Sequence, residues 1–332
     1  MKRSWSYVAA ATGAVAFGAW MTGAGMALAK EKITFAYLAD PALEGVMYAI
    51  KSGKVKSDKV EIETSALAIP ALIQSTPAKR YDVIMNAVMA IPFAKRRGLD
   101  LVVLSTALRG VGDHGAGVWV KKDSPYKTIA DLKGKKIGNY ALRATGTTWI
   151  RIALWKKYKV NVSYKGGDFN WVQIPAPALL SALESGRVDA ATLIHAQAFK
   201  ARGTGNYRVL ARTNSDIREL FGAPSVSAVN VTYPEKLKAR PEAFKEFGRM
   251  LRASVKYAQA NADAVGKELA KTKKIDPKYF AAWMKDYSFF PGYVSAADKK
   301  AMTTVWTMSR DMGILKKIPD VNKVVWEHAV TK

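Results

Sequence analysis

Between Ile129 and His195 the chain reads IADLKGKKIGNY, then ALRATGTTWIRIALWKKY, then, past a polar linker, IPAPALLSALESGRVDAATLIH. Short apolar strands and amphipathic helix openings follow one another at close spacing. Strands joined by crossover helices pair in parallel and bury their apolar faces under those helices, so this rhythm restricts the region to an α/β sheet.

The same alternation begins earlier. Lys32 to Leu38 reads as a strand, and Asp40-Pro41 behind it opens a helix, with a side-chain acceptor at the cap and proline at the first turn. Val60 to Thr64, Tyr81 to Met85 and Leu101 to Ser105 read as strands, with Ile69 to Ser75 as a short helix. Gly115 to Lys121 crosses into a second lobe. There, Thr128 and Asp131 make a capping box, Lys135 to Tyr140, Asp168 to Ile174 and Val188 to Ile194 are strands, and Thr145 to Tyr158 and Pro177 to Ser185 are helices. Arg208 to Arg212 closes the lobe. From Pro241 onward the pattern is helical, with starts at Arg240-Pro241-Glu242, Asp276-Pro277 and a Ser295-to-Asp298 capping box. The expected division is residues 1–29 as a leader, 30–112 as the first part of lobe one, 113–212 as lobe two, and 213–332 as the return to lobe one with C-terminal helices.

Lys2 and Arg3 precede an uncharged run from Ser4 to Ala29, and Ala27-Leu28-Ala29 is an A-x-A cleavage pattern before Lys30. A cleaved secretory leader is expected, with a soluble mature protein in a periplasm. The sequence has no cysteine, which excludes a lipid-bearing cysteine, a disulfide and a thiol nucleophile. Its net charge is +25. Such a field favours capture of anions, but the lysines are scattered and carry no nucleic-acid signature, so no nucleic-acid partner is expected.

In open α/β sheets a ligand sits beyond the carboxyl ends of the strands. That rule selects Asp40, Asn86, the Ala144-to-Thr148 turn and His195, two places from each lobe. At the Thr145-Gly146-Thr147 turn, unpaired amides at a helix start would attract an oxyanion, and Arg143 just upstream could add a bidentate contact. Each residue has a plain structural reading beside this one: Asp40, Thr145 and Thr147 as helix caps, Asn86 as a turn residue, Arg143 as a surface charge and His195 as a core histidine. Gly110-Val111-Gly112-Asp113-His114-Gly115 matches G-x-G-x-x-G but precedes a strand, so it reads as an interlobe crossing and not a dinucleotide turn. Three widely separated histidines give no metal-ligand spacing, so neither a metal site nor a cofactor is expected.

The DLKGKKIG strand, the Gly/Thr turn with its helix and the SALESGRVDA segment resemble the second lobe of periplasmic solute-binding proteins of ABC transporters, in the nitrate, sulfonate and taurine branch. The resemblance implies a two-lobed type II periplasmic-binding-protein fold, each lobe a mixed, mostly parallel sheet flanked by helices, with a helical C-terminal region. It further implies a monomeric, non-catalytic receptor that closes over a small, anionic organic solute and presents it to an ABC transporter permease, with hinges near Arg109 to Gly115 and Arg212 to Val229. Enzymes also occur on this scaffold. A lyase or dehydratase using Asp40 and His195 as acid and base is therefore the second reading, and a ligand-sensing docking protein for a membrane sensor is the third.

Overall fold

The protein's structure, a computed structural model, describes residues 30–330; the expected leader lies outside the described residues. The chain enters as β1 (Glu31–Leu38), α1 (Pro41–Lys51), β2 (Val60–Leu67), α2 (Ile69–Ser75), β3 (Val83–Ala87), α3 (Ala90–Lys95) and β4 (Val102–Gly110). It crosses as β5 (Ala116–Lys121), β6 (Lys136–Asn139), α4 (Thr145–Tyr158), β7 (Asn170–Gln173), α5 (Leu179–Glu184), β8 (Ala190–Ile194), α6 (His195–Thr204) and β9 (Tyr207–Arg212). It returns through α7 (Thr213–Phe221) to β10 (Val226–Thr232), α8 (Pro234–Ala239), α9 (Pro241–Ala260), α10 (Ala262–Lys273), α11 (Tyr279–Ala282), β11 (Ser288–Phe289), α12 (Ala296–Asp311) and α13 (Val321–Val324).

Two mixed sheets result. One has the order β11-β4-β10-β3-β1-β2, the other β7-β6-β8-β5-β9. In the first, β1 pairs in parallel with β2 and β3, whereas β10 comes back antiparallel between β3 and β4. In the second, β6 pairs in parallel with β7 and β8, and β5 runs antiparallel to β8 and β9. This is the two-lobed type II arrangement, with helices on the sheet faces and a helical C-terminal region.

Capping chemistry places the helices that matter for the cleft. Asp40 accepts the Ala42 amide at 2.8 Å, and Pro41 sits in the first turn. Ser295 and Asp298 form a reciprocal capping box at the start of α12. The sequence reading overlooked β10, and the segment it assigned to a hinge is a helix followed by the start of a central strand. The reason is burial: along Val226–Thr232 only Ser227 is partly exposed, so the solvent-facing alternation that marks a strand is missing.

Packing then locks each layer. The Phe247 ring meets Phe35 edge-on at 5.3 Å, and Ser254 Oγ donates to Val46 O at 2.5 Å, fixing α9 across β1 and α1. On the opposite face Trp306 is fully buried and its indole donates to Val88 O at 3.2 Å. Each such aromatic contributes about 1.5–3 kcal/mol through burial alone. No described helix is long and apolar enough to cross a membrane.

Candidate active site between the lobes

Where α6 springs from the end of β8, His195 adopts the left-handed backbone region with φ of 47°. A non-glycine residue held there costs energy and concentrates at functional sites. Its ring lies against Trp283, and the Trp283 indole N–H donates to His195 Nδ1 at 2.7 Å. Burial pushes the imidazole below its ordinary value, with the Asp40 carboxylate pulling the other way. Asp40, at the end of β1, and His195, at the end of β8, thus come from different sheets.

Three aromatic residues complete the surroundings. Tyr279 lies on α11, and Trp283 and Tyr287 bound a five-residue π-helical turn, a distortion that recurs at functional sites. Among the described residues the buried hydroxyls of Tyr279 and Tyr287 meet no partner in hydrogen-bonding geometry, although the Arg202 guanidinium lies near Tyr287. Burial, then the Asp40 carboxylate, pushes the Tyr279 phenol well above its usual range.

A cavity of about 40 Å³ separates the two sheets here. Its wall includes Tyr140, Gly146, His195, Thr213, Ser227 and Tyr287. Among the described residues the buried Thr213 hydroxyl has no hydrogen-bond partner. A Cβ at Gly146 would fall on the Tyr140 hydroxyl, so any larger residue there must displace that phenol. Burial pushes the Tyr140 phenol up to about 12.

The remaining sequence candidates have other duties. Thr145 is buried and its Oγ1 accepts the Met89 amide at 3.0 Å, so it ties one lobe to the other. Thr147 Oγ1 donates within its own lobe, to Asn139 Oδ1 at 2.9 Å and Ala141 O at 2.8 Å. Asn86 is buried and exchanges hydrogen bonds with Thr76. Arg143 is exposed. The glycine run from Gly110 to Gly115 is a tight interlobe crossing, in which a Cβ on Gly115 would collide with Tyr287 O. Among the described residues no group of three His, Cys, Asp or Glu side chains is placed to hold a metal ion.

Sequence reasoning missed Tyr279, Trp283 and Tyr287. Their four-residue spacing puts them on one helical face, a pattern shared by any buried aromatic stripe.

Two lobes that meet over a small polar cleft lined by His195, Thr213 and Tyr287 define a scaffold of the type II periplasmic-binding-protein kind. The chain belongs to the menaquinone biosynthesis family, which it matches over residues 33–308. The fold is shared with the periplasmic aliphatic sulphonate binding protein SsuA from Escherichia coli (15% identity, 92% of this chain and 94% of that one, TM-score 0.72). It is shared also with the alkanesulfonate-binding protein SsuA from Xanthomonas axonopodis pv. citri bound to MOPS (17%, 90% and 99%, TM-score 0.69). A third similar structure is protein AF1704 from Archaeoglobus fulgidus (21%, 86% and 98%, TM-score 0.67). No curated protein matches the sequence.

Family membership overturns the expectation of a non-catalytic receptor serving an ABC importer, and with it the transport role and the permease partner. The motifs behind that expectation build strands and helix starts of the type II scaffold. They carry the fold and not the chemistry, and likeness to the SsuA proteins at such low identity is likeness of fold alone.

Proposed function

We propose that this chain is an enzyme of menaquinone biosynthesis, of lyase or dehydratase type, acting on a small organic anion enclosed between the lobes. The observation that carries the reading is His195, held in a left-handed backbone conformation at the end of β8 with its Nδ1 bonded to Trp283, on the wall of an interlobe cavity shared with Tyr287. Membership of a biosynthetic family and the net charge of +25 support the reaction class and the anionic substrate.

An elimination needs a proton acceptor at carbon and a hydrogen-bond donor at oxygen. Asp40 serves as the acceptor. His195 serves as the donor to the oxygen that gains charge, through the ring nitrogen that Trp283 does not occupy.

Incubating the purified protein with a panel of hydroxylated cyclic carboxylates tests this. Loss of one water by mass spectrometry and a new conjugated absorbance are expected, both abolished in Asp40→Asn. Stoichiometric binding of panel members without turnover would return the protein to the receptor class.

Export is proposed from the leader pattern. N-terminal sequencing of the protein from a periplasmic fraction should begin at Lys30, and an intact Met1 in the cytoplasmic fraction would overturn it.

A further inference from the structure

We propose that Trp283 fixes His195 in the tautomer that carries its proton on Nε2, which makes the imidazole a neutral hydrogen-bond donor to substrate oxygen and leaves Asp40 as the proton-transferring group. The inference deepens the catalytic reading and rests on it for the role in turnover, though the tautomer itself does not depend on it.

The argument begins with an asymmetry of side-chain chemistry. An indole N–H can only donate. The Trp283 N–H lies 2.7 Å from His195 Nδ1, so Nδ1 must be the bare, accepting nitrogen and the ring proton must sit on Nε2. Protonating both nitrogens would set two N–H groups against each other and leave a fully buried indole donor without a partner. No described residue hydrogen-bonds to Nε2.

Trp283 is itself held in place. Its ring stacks on Phe280 at 6.5 Å with an 11° interplanar angle, and Phe280 packs on Gly45, where any Cβ would collide with its ring. Gly45 lies in α1, the helix capped by Asp40. Carboxylate and imidazole are therefore positioned by one contiguous stack.

The division of labour follows. A neutral imidazole with its proton on Nε2 is a poor base, since its bare nitrogen is occupied, and a poor acid, since losing that proton would create an imidazolate. It is a good donor to an oxyanion. Asp40 takes a proton from the carbon beside a carbonyl. The C–H electron pair moves to the carbonyl oxygen, whose negative charge the His195 N–H stabilises without proton transfer. The enolate pair then forms the carbon–carbon double bond as the neighbouring C–O bond breaks, and the departing hydroxide takes the proton from Asp40 and leaves as water. Trp283 acts through His195 and is a positioning residue.

Nitrogen-15 spectra of protein labelled at histidine test this without substrate. The chain has three histidines, so His195→Gln assigns the His195 signals. In the wild type the Nδ1 signal should be acceptor-like and the Nε2 signal pyrrole-like from weakly acidic to alkaline pH. In Trp283→Phe the two tautomers should interconvert and the ring should protonate at higher pH. An Nδ1–H tautomer or an imidazolium at neutral pH in the wild type would overturn the proposal whether or not the variant folds. In the turnover assay, His195→Ala should lower kcat about 10²-fold or more, and His195→Gln, which keeps an N–H near the Nε2 position, should recover part of that loss. The expected spectra without turnover by the wild type would sink the catalytic reading and leave the tautomer standing. Turnover with the wrong tautomer would do the reverse.

Discussion

Arg109 and Asp298 form a two-pronged ion pair, Nε to Oδ1 at 2.7 Å and Nη2 to Oδ2 at 2.5 Å, with the Asp298 side chain wholly buried. The same carboxylate accepts the Ser295 amide at 2.8 Å in the capping box of α12. One side chain thus fastens α12 to the end of β4, just where the chain leaves for the second sheet.

Arg109→Ala should therefore cost about 3–5 kcal/mol, because it strands a carboxylate in the interior. Urea denaturation followed by circular dichroism measures the loss. A change below about 1 kcal/mol would show that the charge is compensated in some other way.

Thr145→Val keeps the shape of the helix start but removes the acceptor for the buried Met89 amide. The expected cost is about 1–3 kcal/mol, accompanied by faster hydrogen exchange at Met89 than at neighbouring amides of α3. Uniform exchange across the helix would deny the contact its interlobe role.

Gly115→Ala should be severe for a single methyl group, since its Cβ would meet the Tyr287 carbonyl and the Asn214 amide. Asn214 already donates to Val111 O at 2.9 Å and Tyr287 O at 3.2 Å, and accepts from Ser225 Oγ at 2.9 Å. Overpacking of this kind costs about 1–3 kcal/mol, read as a lower urea midpoint. Unchanged stability would mean that the crossing yields freely.

Acidification should destabilise the protein before any carboxylate is titrated. Burial holds both His195 and His114 below the ordinary 6.5, with Arg202 and Arg212 also lowering His114. The unfolded chain takes up protons near pH 6.5 where the folded chain resists, so stability present above that pH is lost as pH falls through it towards the folded values. Urea midpoints should decline across this window, and His195→Gln should flatten part of the slope. A wild-type midpoint constant down to about pH 5 would contradict it.

Much of the fold was legible because its elements announce themselves locally. Asp40-Pro41, the Ser295 capping box and Thr145 to Tyr158 appear where their spacing predicts. The candidate site was legible only in half. Asp40 and His195 stand at strand ends, where a topological rule points. Tyr279, Trp283 and Tyr287 lie in a distant helical tail, and no local pattern tells which strand end a tail will visit. Asn86 shows the converse, a strand-end amide that satisfies itself on Thr76.

The void beneath His195, at about 40 Å³, is far smaller than the roughly 300 Å³ or more that an organic molecule fills. Widening it by parting the lobes breaks the bond from the Trp149 indole to Val226 O, 2.8 Å long, and that from the Met89 amide to Thr145 Oγ1. Parting the lobes breaks this seam and closing them remakes it, so the rate of gaping sets a ceiling on how fast the cleft can fill and empty.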